Sequence, residues 1–274
     1  MNYKTIMVSL ALDKPNDACL AVAGDLAERF QARVIGIAAS DLRPPLYFEE
    51  GEYARNLIRQ EERAIRGRLS ELEAEFRGSV QKRAKSVEWR STLAMPANYL
   101  VQQSRAADIL VVGACAETIV DLSAAVDPAD VLLRAGRPLL VVPPTAEWLD
   151  LRSVLVAWKD VKEARRAVLD ALPILATAKD VTIAEIPEVG SVRVDALTHV
   201  EDVAAWLRGH GIVASVVACE PPTDVLGQLD WIAANAGAGM VIAGAYGHSR
   251  LREWTLGGVT RHLLTSARCA VLSH

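Results

Sequence analysis

Four glycines near the end of the chain, Gly244, Gly247, Gly257 and Gly258, have the type and spacing that could do chemistry. Gly244 closes an apolar run from Met240 to Ala243 that reads as a buried parallel strand. Gly244 and Gly247 bracket a tight turn, nine residues follow, and Gly257-Gly258 opens an amphipathic segment from Val259 to Ser266. Glycines let the backbone approach a ligand closely, and free N–H groups at a helix start favour negative charge, so the arrangement suits a phosphate. Its simpler reading is a set of tight turns inherited from the fold. His248, Ser249 and Arg250 lie in the intervening loop; the basic pair could meet phosphate oxygens, or could be solvated loop groups.

Other chemistry finds little support. The five histidines show no ligand spacing, and Cys19, Cys115, Cys219 and Cys269 are scattered without a CxxC pair, so no metal site is expected. The cysteines read as reduced core or near-core residues of a cytoplasmic protein. Gly237-Ala-Gly239 precedes its strand, whereas a dinucleotide fingerprint follows one. Neither a phosphate-loop lysine motif nor a G-x-S-x-G elbow is present, and no nucleophile with a partner base can be assembled. No catalytic residue is therefore assigned.

The elements that must position the glycines alternate between strand and helix. Strand-like runs are Thr5–Leu12, Arg33–Ala38, Val87–Leu93, Asp108–Val112 and Leu139–Val142. Helical spacing marks Ala18–Phe30, Glu50–Arg77, Pro96–Arg105 and a segment ending at Val131–Ala135. The long charged segment, Glu50–Arg77, reads as a solvated amphipathic arm, with a lid or an oligomer contact as the functional alternative. After Pro143-Pro144-Thr145 the pattern restarts: strands at Val154–Trp158, Val181–Ile186, Ile212–Val217, Met240–Ala243 and Ala270–Leu272 alternate with helices at Glu163–Leu175, His199–Arg208, Thr223–Ala236 and Val259–Ser266. Val181 answers to Val34 and Gly244 to Gly113. The reading is α/β: two tandem doubly wound domains, 1–146 and 147–274, each a mostly parallel sheet with helices on both faces and a crevice beyond the strand ends.

A chain of 274 residues, 51% hydrophobic and 23% charged, can bury a substantial core. A net charge of −4 argues against a partner bound through bulk positive charge, so no nucleic acid is expected. No signal-peptide pattern opens the sequence, and no apolar run approaches the roughly 20 residues that span a bilayer, so no membrane partner is expected.

With these residues in view, Gly244-x-x-Gly247, nine residues and Gly257 resemble the nucleotide signature of the universal stress protein family, G-x-x-G, nine residues, G-(S/T). The doubling is similar to the family's tandem members. The resemblance implies five parallel strands in each half, joined about a pseudo-twofold through their last strands. It also implies ATP or another adenine nucleotide, with Mg, a stress-response role, and at most slow incidental ATP hydrolysis. Pairing of tandem chains into a homodimer would follow family habit. Carried over, the adenine and ribose side falls on Ala157, Lys159 and Ile186, and the phosphate side on Ala243, Gly244, Gly247, Gly257, Gly258 and Val259. Gly258 stands where the family has a hydroxyl, which Thr260 is near enough to replace, and Lys159 stands where it has Asp. Lys159 could neutralise a phosphate or pair with a neighbouring carboxylate. Trp158 could stack on adenine, but core packing is the commoner role. In the first half Ala116, Val126 and Asp127 replace Gly247, Gly257 and Gly258, so no triphosphate is expected there. The alternative to a nucleotide-binding regulator is an interaction module that has lost its ligand.

Overall fold

In the computed structural model the described residues are 2–42, 52–114, 122–187, 193–246 and 257–274. Along the first half run β1 (Thr5–Ser9), α1 (Asp17–Phe30), β2 (Arg33–Ser40), α2 (Glu52–Val80), β3 (Ser86–Leu93), α3 (Pro96–Gln103), β4 (Ile109–Gly113), α4 (Pro128–Arg134) and β5 (Leu139–Val142). The second half repeats the plan with β6 (Ser153–Trp158), α5 (Lys162–Asp170), α6 (Leu172–Leu175), β7 (Asp180–Glu185), α7 (Arg193–Gly209), β8 (Ser215–Ala218), α8 (Val225–Asn235), β9 (Met240–Gly244), α9 (Gly258–Leu264) and β10 (Cys269–Ser273).

The ten strands among the described residues share one sheet, ordered β3-β2-β1-β4-β5-β10-β9-β6-β7-β8. Every pairing is parallel except the central one, where β5 meets β10 antiparallel with Val141 opposite Ala270 and Leu139 opposite Leu272. The halves thus present their strand ends in opposite directions, and each half has the same internal order. Strands fully apolar along their length, such as Leu139–Val142, are covered on both sides. On one face α1, α2, α5, α6 and α7 bury Leu26, Phe76, Val168, Ile174 and Leu207 with Val154 and Val156. On the other, α3, α4, α8 and α9 bury Leu100, Leu132, Ile232 and Leu263 with Leu110 and Leu155.

Several boundaries differ from the sequence reading. The helix expected over Glu163–Leu175 is split at Ala171, because Pro173 has no N–H to continue the ladder and starts α6 instead. The helix expected from His199 begins at Arg193, and the first strand stops at Ser9. Only the C-terminal half of α2 docks, through Leu69, Leu72, Phe76 and Val80. The rest is laced by pairs such as Arg66–Glu62 and Arg68–Glu71, as a largely solvated helix surface would be. No helix among the described residues is long and apolar enough to cross a membrane. Cys19 and Cys269 are buried thiols whose pKa values burial pushes up to about 12, so neither is an activated nucleophile.

Candidate functional site

In the second half the strand order reverses between β6 and β9, and a doubly wound sheet opens its crevice at the C-terminal ends of such a pair. Ala157 of β6 is in register with Ala184 of β7 and Ala243 of β9, so three methyl groups lie in a row across the strand ends. The first half differs at this row. Ser9 there is in register with Ile37, and Val112 precedes Gly113 as Ala243 precedes Gly244. Alanines replace two branched side chains, so the floor sits lower in the second half. Lys159 and Ile186 follow directly after β6 and β7, both half-buried, so the structure gathers Ala157, Lys159, Ile186, Ala243 and Gly244 at adjacent strand ends.

Gly244 has a packing duty of its own. A Cβ there would lie 2.4 Å from the Ala164 nitrogen and 2.5 Å from the Glu163 carbonyl carbon, so the first turn of α5 rests directly on this residue. At Gly258 a Cβ would meet nothing within 4 Å among the described residues. Gly257 precedes α9 with φ −56° and ψ 143°, and among the described residues no side chain caps the helix. Val259 is half-buried, while Thr260 is 4% exposed and turned into the protein, a poor replacement for the missing hydroxyl. Gly247, His248 and Ser249, together with Arg250, lie outside the described residues.

At the corresponding place in the first half, chain atoms take up the polar groups. Asp127 caps α4 by accepting from the Ala129 N–H at 2.9 Å. Ser123 and Ala124 accept from the backbone N–H groups of Asp41 (2.9 Å) and Leu12 (3.2 Å), drawing that segment across the ends of β1 and β2. Asn16, buried, accepts from the Ala11 N–H and donates to the Ala11 carbonyl, each at 2.9 Å, closing the loop after β1.

Two features of the second half, the Glu185–His199 pair and the backbone of Tyr246, were not legible in the sequence. Glu185, only 9% exposed, is in register with Trp158, and His199 of α7 bonds its carboxylate through Nδ1 at 3.1 and 3.3 Å. Burial raises the Glu185 pKa, opposed by His199 and Lys159 and assisted by Asp160. Trp158 packs into the core, as its commoner role suggests, and its Nε1–H has no partner among the described residues. Tyr246 adopts φ 64°, uncommon without glycine. Its ring meets His274 edge-on at 5.6 Å, and its hydroxyl comes within 3.5 Å of the Ala129 carbonyl across the central seam.

The Glu185 shift has a sign that stability can test. A carboxyl whose folded pKa is raised holds its proton longer in the folded state, so stability falls as pH rises from the unfolded value through the folded one. Above that window the cost of burying the charge is fully present. Glu185→Gln keeps an acceptor for His199 without the charge. We expect it to melt a few degrees above wild type at pH 7.5, with the gap closing toward pH 4. A lower melting temperature at pH 7.5 would show that the charged pair with His199 outweighs burial.

No family model and no curated protein matches the chain. Among solved structures it is similar to a universal stress protein from Archaeoglobus fulgidus, at 16% identity and a TM-score of 0.73 over 98% of this chain and 95% of that one. A functionally unknown protein from Pseudomonas aeruginosa matches at 14% identity and a TM-score of 0.62 over 99% and 92%. The cytoplasmic domain of a prokaryotic cation chloride cotransporter matches at 11% identity and a TM-score of 0.52 over 98% and 94%. The fold, over the whole chain, is that of a tandem universal stress protein.

Proposed function

We propose that this chain is a stress-response regulator of the universal stress protein kind that binds an adenine nucleotide of the ATP type in the crevice of its second half. The observation that carries the reading is the difference between two copies of one fold. In the first half a carboxylate caps the helix and branched side chains fill the row at the strand ends. In the second, the floor is Ala184-Ala157-Ala243 and the helix start is glycine without a side-chain cap. An uncapped helix start offers N–H groups to an anion. Lys159 adds a cation at the end of β6, a place that suits negative ligands better than the family's carboxylate would. Among the described residues no cluster of His, Cys, Asp and Glu is placed to hold a metal. Mg would therefore be held by the nucleotide's phosphates and water.

The test is calorimetry with ATP, ADP and AMP on purified protein, with any nucleotide released on denaturation identified by mass spectrometry. Binding of none of them at millimolar concentration, with nothing co-purifying, would leave the interaction module as the better reading. Gly258→Ser provides a gain-of-function arm. Its Cβ has open space, and its hydroxyl restores one donor to phosphate, so affinity for ATP should rise about fivefold, worth about 1 kcal/mol.

A further inference from the structure

The outer edge of β3 is an eight-residue strand that, among the described residues, pairs only with β2. The opposite edge of the sheet, β8, has only four residues, and a short edge is poor at recruiting another strand. β3 has neither proline nor glycine within it.

Backbone alternation says which of its groups are available. Arg33 of β2 donates its N–H to the Lys4 carbonyl on the β1 side, whereas Ser40 accepts from the Ala94 N–H on the β3 side. Even-numbered residues of β2 therefore face β3. With Gly36 in register with Trp89, the amides of Val87, Trp89, Ser91 and Leu93 turn to the open edge. Trp89 is fixed from the inner side, its ring 5.6 Å from that of Phe76. On the other face, Glu88 and Arg90 stand two residues apart with opposite charge: Arg90 Nε donates to Glu88 at 2.7 Å and its Nη1 to Gln103 at 2.7 Å, and Glu88 also pairs with Arg33 of β2. Their side chains remain 35% and 21% exposed.

We propose that this edge is the docking site for a second copy of the chain, β3 against β3 antiparallel about a twofold at Trp89. In that register Val87, Trp89 and Ser91 pair with Ser91, Trp89 and Val87 of the second copy through about six backbone hydrogen bonds. Glu88 of each copy then lies opposite Arg90 of the other, in the non-hydrogen-bonded positions where side chains come closest. A slip of the twofold to either neighbouring residue sets Glu88 against Glu88 or Arg90 against Arg90, so charge selects one register. The chain already joins two edges this way at the β5–β10 seam.

Sedimentation equilibrium of the full chain up to about 100 µM tests the proposal. Wild type should be dimeric. Glu88→Lys should weaken the dimer at least about thirtyfold, because two attractive pairs become repulsive, and the double variant Glu88→Arg with Arg90→Glu should recover it. Ser91→Pro removes an edge-facing N–H that β2 does not use, and should yield a folded monomer by circular dichroism. A monomeric wild type, or a dimer indifferent to both Glu88→Lys and Ser91→Pro, overturns the proposal. So does a charge-exchanged double variant that folds and remains monomeric.

Discussion

Gly258→Asp should cost the protein its nucleotide while making it more stable. The substitution puts a carboxylate on the first residue of α9, one place further into the helix than Asp127, which caps α4 in the first half. Its Cβ enters open space, so no packing loss is expected. An acid in the first turn complements the helix dipole, a gain of about 0.5–1 kcal/mol, or roughly 1–4 °C in melting temperature. The same carboxylate would stand where phosphate must bind. Like charges brought together cost several kcal/mol, so affinity for ATP should drop at least about a hundredfold. Calorimetry and a thermal melt on one preparation separate the effects. An Asp variant that binds as wild type would remove α9 from the site.

The doubled plan was legible in the sequence because each strand is a short apolar run bounded by turn chemistry, and because Gly113 and Gly244 end equivalent strands. Register was not. Nothing in Ala157, Ala184 and Ala243 taken singly announces a row, since they sit on three strands far apart in sequence and only pairing sets them side by side. Glu185 and His199 were equally silent. A carboxylate at the end of an apolar strand normally reads as the solvated end, and its pairing with His199 is set by where α7 lies on the sheet. Tyr246 lies inside the very turn that drew attention, yet its positive φ and its reach toward α4 depend on the central seam.

The fold by itself decides less than its detail does. The same chain trace matches a stress protein and a transporter's cytoplasmic domain, so ligand binding must be argued from the ends of particular strands. There the two halves act as internal controls for each other. The first shows how this fold looks when its own chain satisfies the crevice, and the second departs from that at the floor, the cap and Lys159.

Gly244 shows why the glycine signature cannot be read residue by residue. Sequence spacing assigns it to phosphate, but its missing side chain is already required by α5, whose backbone would lie 2.4 Å from a Cβ. Backbone cannot rotate aside as a side-chain tip can, so Gly244→Ala must push the first turn of α5 off β9. Overpacking of this kind costs about 3 kcal/mol, a loss of roughly 10 °C in melting temperature for a chain of this size. Gly113→Ala is the control: among the described residues its Cβ would meet only the Cys19 sulfur at 3.7 Å, ordinary contact, and should change stability by less than about 0.5 kcal/mol. The turn that Gly244→Ala displaces begins just after Lys159 and Asp160, so weakened nucleotide binding in this variant would report a moved helix as readily as a lost phosphate contact. Differential scanning calorimetry of the two alanine variants without ligand settles the order of causes. If Gly244→Ala melts with wild type, α5 does not depend on that glycine, and its place at the end of β9 answers to the ligand alone.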